Sequence, residues 1–114
     1  MTAPRLSLRI DLPNGTRFGP GKAALLSTLI ETGSIRAAAE RLKMSYPRAL
    51  KLIEQMNDSF DAPLVETKHG GADGGGTHVT AQGRDVLGLY EAICQAAEAA
   101  STEAFQKLSR YIRD

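Results

Sequence analysis

A chain of 114 residues is long enough for one domain with a modest buried core. Its 42% hydrophobic and 24% charged residues are ordinary for a soluble globule, while 5% aromatics and no Trp argue against base-stacking platforms for single strands or RNA. The net charge of +1 means that any electrostatic case for nucleic acid must come from local clustering, and the one cysteine excludes an internal disulfide and fits a reducing compartment.

In chain order, Leu6 to Leu12 alternates apolar and polar strictly, which predicts a strand with Leu6, Leu8, Ile10 and Leu12 facing inward. Pro13-Asn14-Gly15 signals a turn, and Thr16-Arg17-Phe18 returns as a second strand, so residues 6–18 read as a hairpin that must pack on the helices. Gly19-Pro20-Gly21 opens a first helix with the stripe Leu25, Leu26, Leu29 and Ile30, and Gly33 ends it. Ser34 is an N-cap for the next helix, whose buried face is Ile35, Ala38, Ala39 and Leu42. Lys43-Met44 breaks the pattern. Ser45 caps again, Pro47 sits harmlessly in a first turn, and Ala49, Leu52, Ile53 and Met56 give a third apolar stripe. The three-helix core is therefore 20–32, 34–42 and 45–57.

The free face of that third helix carries Tyr46, Arg48, Lys51 and Gln55. Long hydrogen-bond donors in a row on a short capped helix suit the floor of a DNA major groove. Residues 33–57 hold five basic side chains (Arg36, Arg41, Lys43, Arg48, Lys51) against two acidic ones (Glu40, Glu54). A helix-turn-helix DNA reader is the leading expectation, and a plain helical hairpin with a solvated basic face is the bland one.

Beyond Phe60 and Pro63, Leu64 to Thr67 and Thr77 to Thr80 read as two short strands. Five glycines in the run from Lys68 through Gly76 mark a loose connection, so residues 64–80 look like the wing of a winged helix. Thr80 caps a last helix over 81–113. Its stripe is Val86, Leu89, Tyr90, Ile93, Ala97, Ala100, Ala104, Leu108 and Ile112, at spacings of three and four. About 30 residues of helix extend ~45 Å, beyond what a small domain covers, so the stripe calls for a second copy of the same helix. With four basic and five acidic residues from Thr80 onward, this helix is not a DNA-binding tail.

Sharper chemistry finds little support. Gly71 and Gly76 have the spacing of a phosphate loop, but Thr77 stands where such a loop needs Lys. His69 and His78 flank Asp73, yet two imidazoles and a carboxylate on a loose loop rarely preorganise a metal site. Cys94 lies beside the apolar stripe, as a small buried side chain would. No nucleophile–base pair or paired carboxylates stand out, so neither an enzyme nor a cofactor is expected. No run is apolar enough to span a membrane and no signal-peptide core is present, which makes the cytoplasm the expected address.

The ordered set Gly33-Ser34-Ile35, Ala38-Ala39, Leu42, Met44-Ser45-Tyr46, Ala49, Ile53, Met56-Asn57, Leu64-Val65-Glu66, Thr80-Ala81-Gln82-Gly83 and Leu89-Tyr90 resembles the DNA-binding domain of the molybdate-dependent ModE regulators. More distantly it is similar to the winged helix of LysR-type regulators. The resemblance implies a mainly α, small-β winged helix-turn-helix, with an N-terminal β-hairpin and a long C-terminal dimerisation helix. It implies a homodimer on double-stranded DNA of two-fold-related sequence. The implied DNA-contacting set is Ser34, Arg36, Ser45, Tyr46, Pro47, Arg48, Lys51, Gln55, Lys68, His69 and Thr77. The implied dimer face is Val86, Leu89, Tyr90, Ile93, Ala97, Ala100, Ala104 and Leu108. Two departures stand out. The chain shows no second, oxyanion-binding domain, so a molybdate site is not expected in it. The wing is also poor in positive charge, with Asp61, Glu66 and Asp73 near Lys68. An alternative is a winged-helix interaction module that no longer binds DNA and serves a separate sensor chain; a small-ligand-binding dimer is a third.

Overall fold

Alternation records which side chains turn inward, not which backbone they pair with, and the N-terminal segment shows the difference. In the computed structural model, which describes residues 4–68 and 76–113, Leu6, Leu8, Ile10 and Leu12 are half-buried while Ser7, Arg9 and Asp11 are exposed. The inward set is as predicted, but the ladder is not. Only β1, Ile10–Asp11, pairs antiparallel with β2, Arg17–Phe18, with Ile10 opposite Phe18. The expected seven-residue strand is shortened because the chain before Ile10 is held elsewhere: the Leu8 carbonyl accepts a 2.6 Å hydrogen bond from Tyr90 Oη.

Three helices follow, α1 (Pro20–Thr32), α2 (Ile35–Arg41) and α3 (Tyr46–Ser59). Each junction is fixed by a local device. Gly33 takes the left-handed conformation at φ 65°, and its N–H closes α1 on the Leu29 carbonyl at 2.8 Å. Ser34 Oγ accepts the Ala37 N–H at 3.1 Å and starts α2. At the far end of α2, Lys43 occupies the left-handed region, φ 57°. The Lys43 and Met44 N–H groups return to the carbonyls of Glu40 and Ala39 at 3.1 and 3.0 Å, the double closure of a Schellman turn. Ser45 Oγ then caps α3 through the Arg48 N–H at 3.2 Å.

The predicted stripes meet in one core. Leu25, Leu26 and Leu29 of α1, Ile35, Ala38 and Ala39 of α2, and Ala49, Leu52, Ile53 and Met56 of α3 are all buried. Phe18 brings the hairpin into this core, edge-on to Phe60 at 6.3 Å and to Tyr90 at 5.2 Å between ring centroids.

A second antiparallel ribbon follows, β3 (Val65–Lys68) and β4 (Gly76–Val79), with Glu66 opposite His78. Its base is pinned twice. The Asn57 side chain donates to the Val65 carbonyl at 3.0 Å and accepts from the Leu64 N–H at 2.9 Å. The Thr77 N–H donates to the Gly33 carbonyl at 3.1 Å, which ties the ribbon to the α1–α2 corner. The glycine run at 69–75 lies outside the described residues.

The last helix, α4 (Ala81–Ser109), begins where Thr80 Oγ accepts the Gly83 N–H at 3.0 Å and donates to the Pro63 carbonyl at 2.8 Å. Gly83 is set against the Leu64 carbonyl with no room for a Cβ. Leu87, Tyr90 and Cys94 pack the first half of α4 on the domain, and Arg5 and Leu6 lie beside Glu98 to Gln106 further along. The molecule extends 58 Å along its longest axis. Among the described residues no helix is long and apolar enough to cross a membrane. The architecture is that of a winged helix-turn-helix.

Candidate nucleic-acid interface

The helix-turn-helix presents α3 with its stripe buried and its first turn in solvent. Ala49, Leu52, Ile53 and Met56 fix the rotation of the helix, and that rotation leaves Tyr46, Pro47, Arg48 and Lys51 exposed. Gln55, expected in the same row, is half-buried, so it is less available than Arg48 and Lys51. Ser45 is exposed and Ser34 half-buried; both hydroxyls already accept a cap bond, which leaves each O–H proton free to donate.

Charge on this surface is uneven. Arg41 is neutralised by Glu31, its Nη1 lying 2.6 Å from the carboxylate. Among the described residues Arg36, Lys43, Arg48 and Lys51 form no ion pair. The Arg36 guanidinium instead lies over the Tyr46 ring, its Cζ 5.4 Å from the centroid, so α2 and α3 meet across the turn by a cation–π contact.

Lys22 is a residue that sequence reasoning misses. It is only 7% exposed, and its Nζ donates 2.6 Å to the Arg17 carbonyl, joining the start of α1 to the hairpin. Burial holds its ammonium below the ordinary lysine range, and the positive charge of Arg48 lowers it further. A lysine in the first turn of a helix reads as a solvated residue, so the sequence carries no signal for this position. Its charge adds to the positive field under the N-terminus of α3.

The ribbon contributes less than expected among the described residues. Thr77 is half-buried and engaged through its backbone, and the Lys68 backbone pairs with Gly76. His69 lies outside the described residues, as does Asp73. His78 Nε2 sits 3.7 Å from Glu66 across the strands, and both are exposed.

The expected dimer stripe divides in two. Tyr90 is a correction: it is 6% exposed, packs on Phe18 and is bonded to Leu8 within its own chain. Burial pushes its phenol up to about 12, helped by the neighbouring Cys94. Val86 is half-buried against the same core, and Leu87, which the stripe omits, is buried. Ala97 is half-buried, while Ala100 and Ala104 are exposed. Leu89 (64% exposed), Ile93 (48%) and Leu108 point to solvent. A single stripe at spacings of three and four thus merges a face that packs inward with one that does not.

Comparison with known proteins points the same way. Residues 22–84 match the lysR family of bacterial regulatory helix-turn-helix proteins. The chain is 38% identical over 93 residues to the molybdenum-pterin-binding protein MopB of Rhodobacter capsulatus, covering 82% of this chain and 34% of that protein. It is 37% identical over 95 residues to the molybdenum transport protein ModE of Azotobacter vinelandii, covering 82% and 35%. Against the DNA-binding transcriptional dual regulator ModE of Escherichia coli K12 it is 33% identical over 90 residues, covering 79% and 33%. The chain spans about a third of the length of these curated relatives.

Proposed function

Because the chain belongs to the lysR family of bacterial regulatory helix-turn-helix proteins, we propose that it is a DNA-binding transcriptional regulator, ModE-like, acting as a homodimer on a two-fold-related operator. One observation carries this reading. A capped, core-anchored α3 exposes Arg48 and Lys51 with no ion-pair partner among the described residues. Long donors held this way, and left unneutralised, suit base edges and phosphates.

In this proposal Arg48 and Lys51 read base edges, Gln55 assists from a half-buried position, and each good bidentate contact contributes about 1–3 kcal/mol of discrimination. Ser34, Arg36, Ser45 and Lys68 position the phosphate backbone. The outward residues of α4, Leu89, Ile93 and Leu108, join two copies. No molybdate site and no catalytic role is assigned to any described residue.

The test is selection of bound duplexes from a random pool, repeated with Arg48→Ala, alongside the mass of the species in solution. An inverted-repeat motif and a dimeric mass are the expected results, with the Arg48→Ala motif degenerate at one position per half-site. An unchanged motif and affinity would remove Arg48 from the reading set. A second reading, an interaction module without DNA binding, is favoured by the exposed Asp61 and Glu66 beside the ribbon. Salt separates the two: a DNA reader binds duplex at low salt and loses affinity steeply as salt is added.

A further inference from the structure

We propose that Tyr46 is a positioning residue for Arg36: its ring holds the guanidinium across the α2–α3 turn, so that Arg36 touches phosphate and Tyr46 acts on DNA only through it. The proposal rests on the DNA-binding reading and goes further, into which of two adjacent exposed side chains meets the ligand. Its geometry is the 5.4 Å between Arg36 Cζ and the Tyr46 centroid, inside the ~6 Å range of a cation–π contact. The residues come from different helices, so the contact is made by the fold of the turn.

The two arginines of α2 are treated differently. Arg41 is paired with the Glu31 carboxylate at the surface, which offsets its charge locally. Arg36 is held by an aromatic face, which fixes the side chain and leaves the charge intact. A cation–π contact accepts no N–H hydrogen bond, and among the described residues the Arg36 guanidinium donates to no oxygen, so its donors remain available. An unpaired, pre-oriented guanidinium with its donors unspent is the form that binds a phosphate bidentately. The Tyr46 hydroxyl makes no hydrogen bond among the described residues, so nothing aims it at a ligand. Ordering a free arginine on binding costs affinity, and removing that cost in advance corresponds to roughly two- to tenfold.

The experiment is a mutant cycle on the chain with a mixed-sequence duplex of about 30 base pairs, long enough for major-groove contacts one turn apart. A phosphate contact acts on any sequence, so no operator is needed. Dissociation constants are measured against salt for the wild type, Arg36→Ala, Tyr46→Phe, Tyr46→Leu and the Arg36→Ala/Tyr46→Leu double variant. Circular dichroism confirms that each is folded, as substitutions at two exposed positions should be. Arg36→Ala should flatten the salt slope by about 0.9 for each phosphate it no longer neutralises. Tyr46→Phe keeps the ring and should stay within about twofold of wild type, since the hydroxyl is not the acting group. Tyr46→Leu should weaken binding roughly two- to tenfold, and should weaken it no further once Arg36 is gone. The proposal is overturned if Tyr46→Phe falls as far as Tyr46→Leu, because the hydroxyl then acts directly. It is also overturned if the Tyr46→Leu loss persists in the Arg36→Ala background, or if Arg36→Ala leaves the slope unchanged. In those cases a wild type that still binds duplex with a steep salt slope preserves the DNA reading. A wild type with no duplex affinity at low salt ends both.

Discussion

The packing of Gly83 against the base of the second ribbon, at Leu64 and Val79, can be tested by adding one carbon. Gly83→Ala places a Cβ on the Leu64 carbonyl oxygen and 2.6 Å from Val79 Cγ1. Two effects oppose each other. Alanine in a helix interior is favoured over glycine by about 1 kcal/mol. Overpacking typically costs ~1–3 kcal/mol, and here the obstacle is backbone rather than a side chain that can swing away. The same Leu64 carbonyl accepts the Thr80 N–H at 2.9 Å, so moving α4 off β3 also strains the helix cap. That bond adds about 1 kcal/mol to the loss. The net expectation is a destabilisation of roughly 1–3 kcal/mol. For a domain of this size that lowers Tm by about 4–12 °C. Gly88 lies in the same helix, and a Cβ there meets nothing within 4 Å. Gly88→Ala should therefore gain ~0.5–1 kcal/mol and raise Tm by a few degrees. Thermal melts followed by circular dichroism compare the pair directly. A Gly83→Ala protein that melts no lower than wild type would show that α4 does not sit on the Leu64 carbonyl, and the account of how the last helix docks would fail.

Two further expectations concern α4. Tyr90 has a folded pKa raised from 10.0 to about 12, first by burial, so its contribution to stability is complete below pH 10 and is lost as pH rises from 10 through about 12. Tyr90→Phe should cost about 1 kcal/mol at neutral pH through the missing Leu8 bond, and should flatten that alkaline decline in urea midpoint; an equally steep decline would assign it to other groups. The exposed pair Leu89 and Ile93 gives the other expectation: a Leu89→Asp/Ile93→Asp variant should halve the mass seen by sedimentation while keeping wild-type helicity. A dimer that survives both charges would move the interface elsewhere.

What can be read from the sequence is what local chemistry decides. Ser34, Ser45 and Thr80 read as caps and are caps, because a hydroxyl reaches the N–H of a residue three positions on whatever the tertiary surroundings. The stripes of α1, α2 and α3 are legible for a similar reason: each has one buried face. The misreadings share a cause, since periodicity does not name a partner. Leu6 to Leu12 alternates as a strand does, yet its inner residues reach the core while Leu8 bonds to a side chain instead of a neighbouring strand. In α4, Tyr90 and Leu89 are adjacent, fall in one stripe and face opposite ways. The buried Lys22 and the Arg36–Tyr46 cation–π contact depend on residues brought together only by the fold, and no local pattern announces them.

The net charge of +1, read alone, understates the interface. Among the described residues Arg9 pairs with Asp11, Arg41 with Glu31 and Lys107 with Glu103, while Arg36, Lys43, Arg48 and Lys51, all on the helix-turn-helix, form no ion pair. Screening confines a duplex to charges within about 8 Å at physiological salt, so what it meets is the unpaired set on the helix-turn-helix and not the total. This gives a quantitative expectation for the proposed dimer. With Arg36 of the helix-turn-helix and Lys68 of the ribbon, the two cations proposed to neutralise one phosphate each per copy, a single copy should show a log–log salt slope of about −2, and two joined copies about −4. The Leu89→Asp/Ile93→Asp variant should therefore lose half of the slope along with half of its mass. A slope that stays near −4 in a monomeric particle would mean that one copy makes all the phosphate contacts. The two-fold arrangement would then have no part in DNA binding.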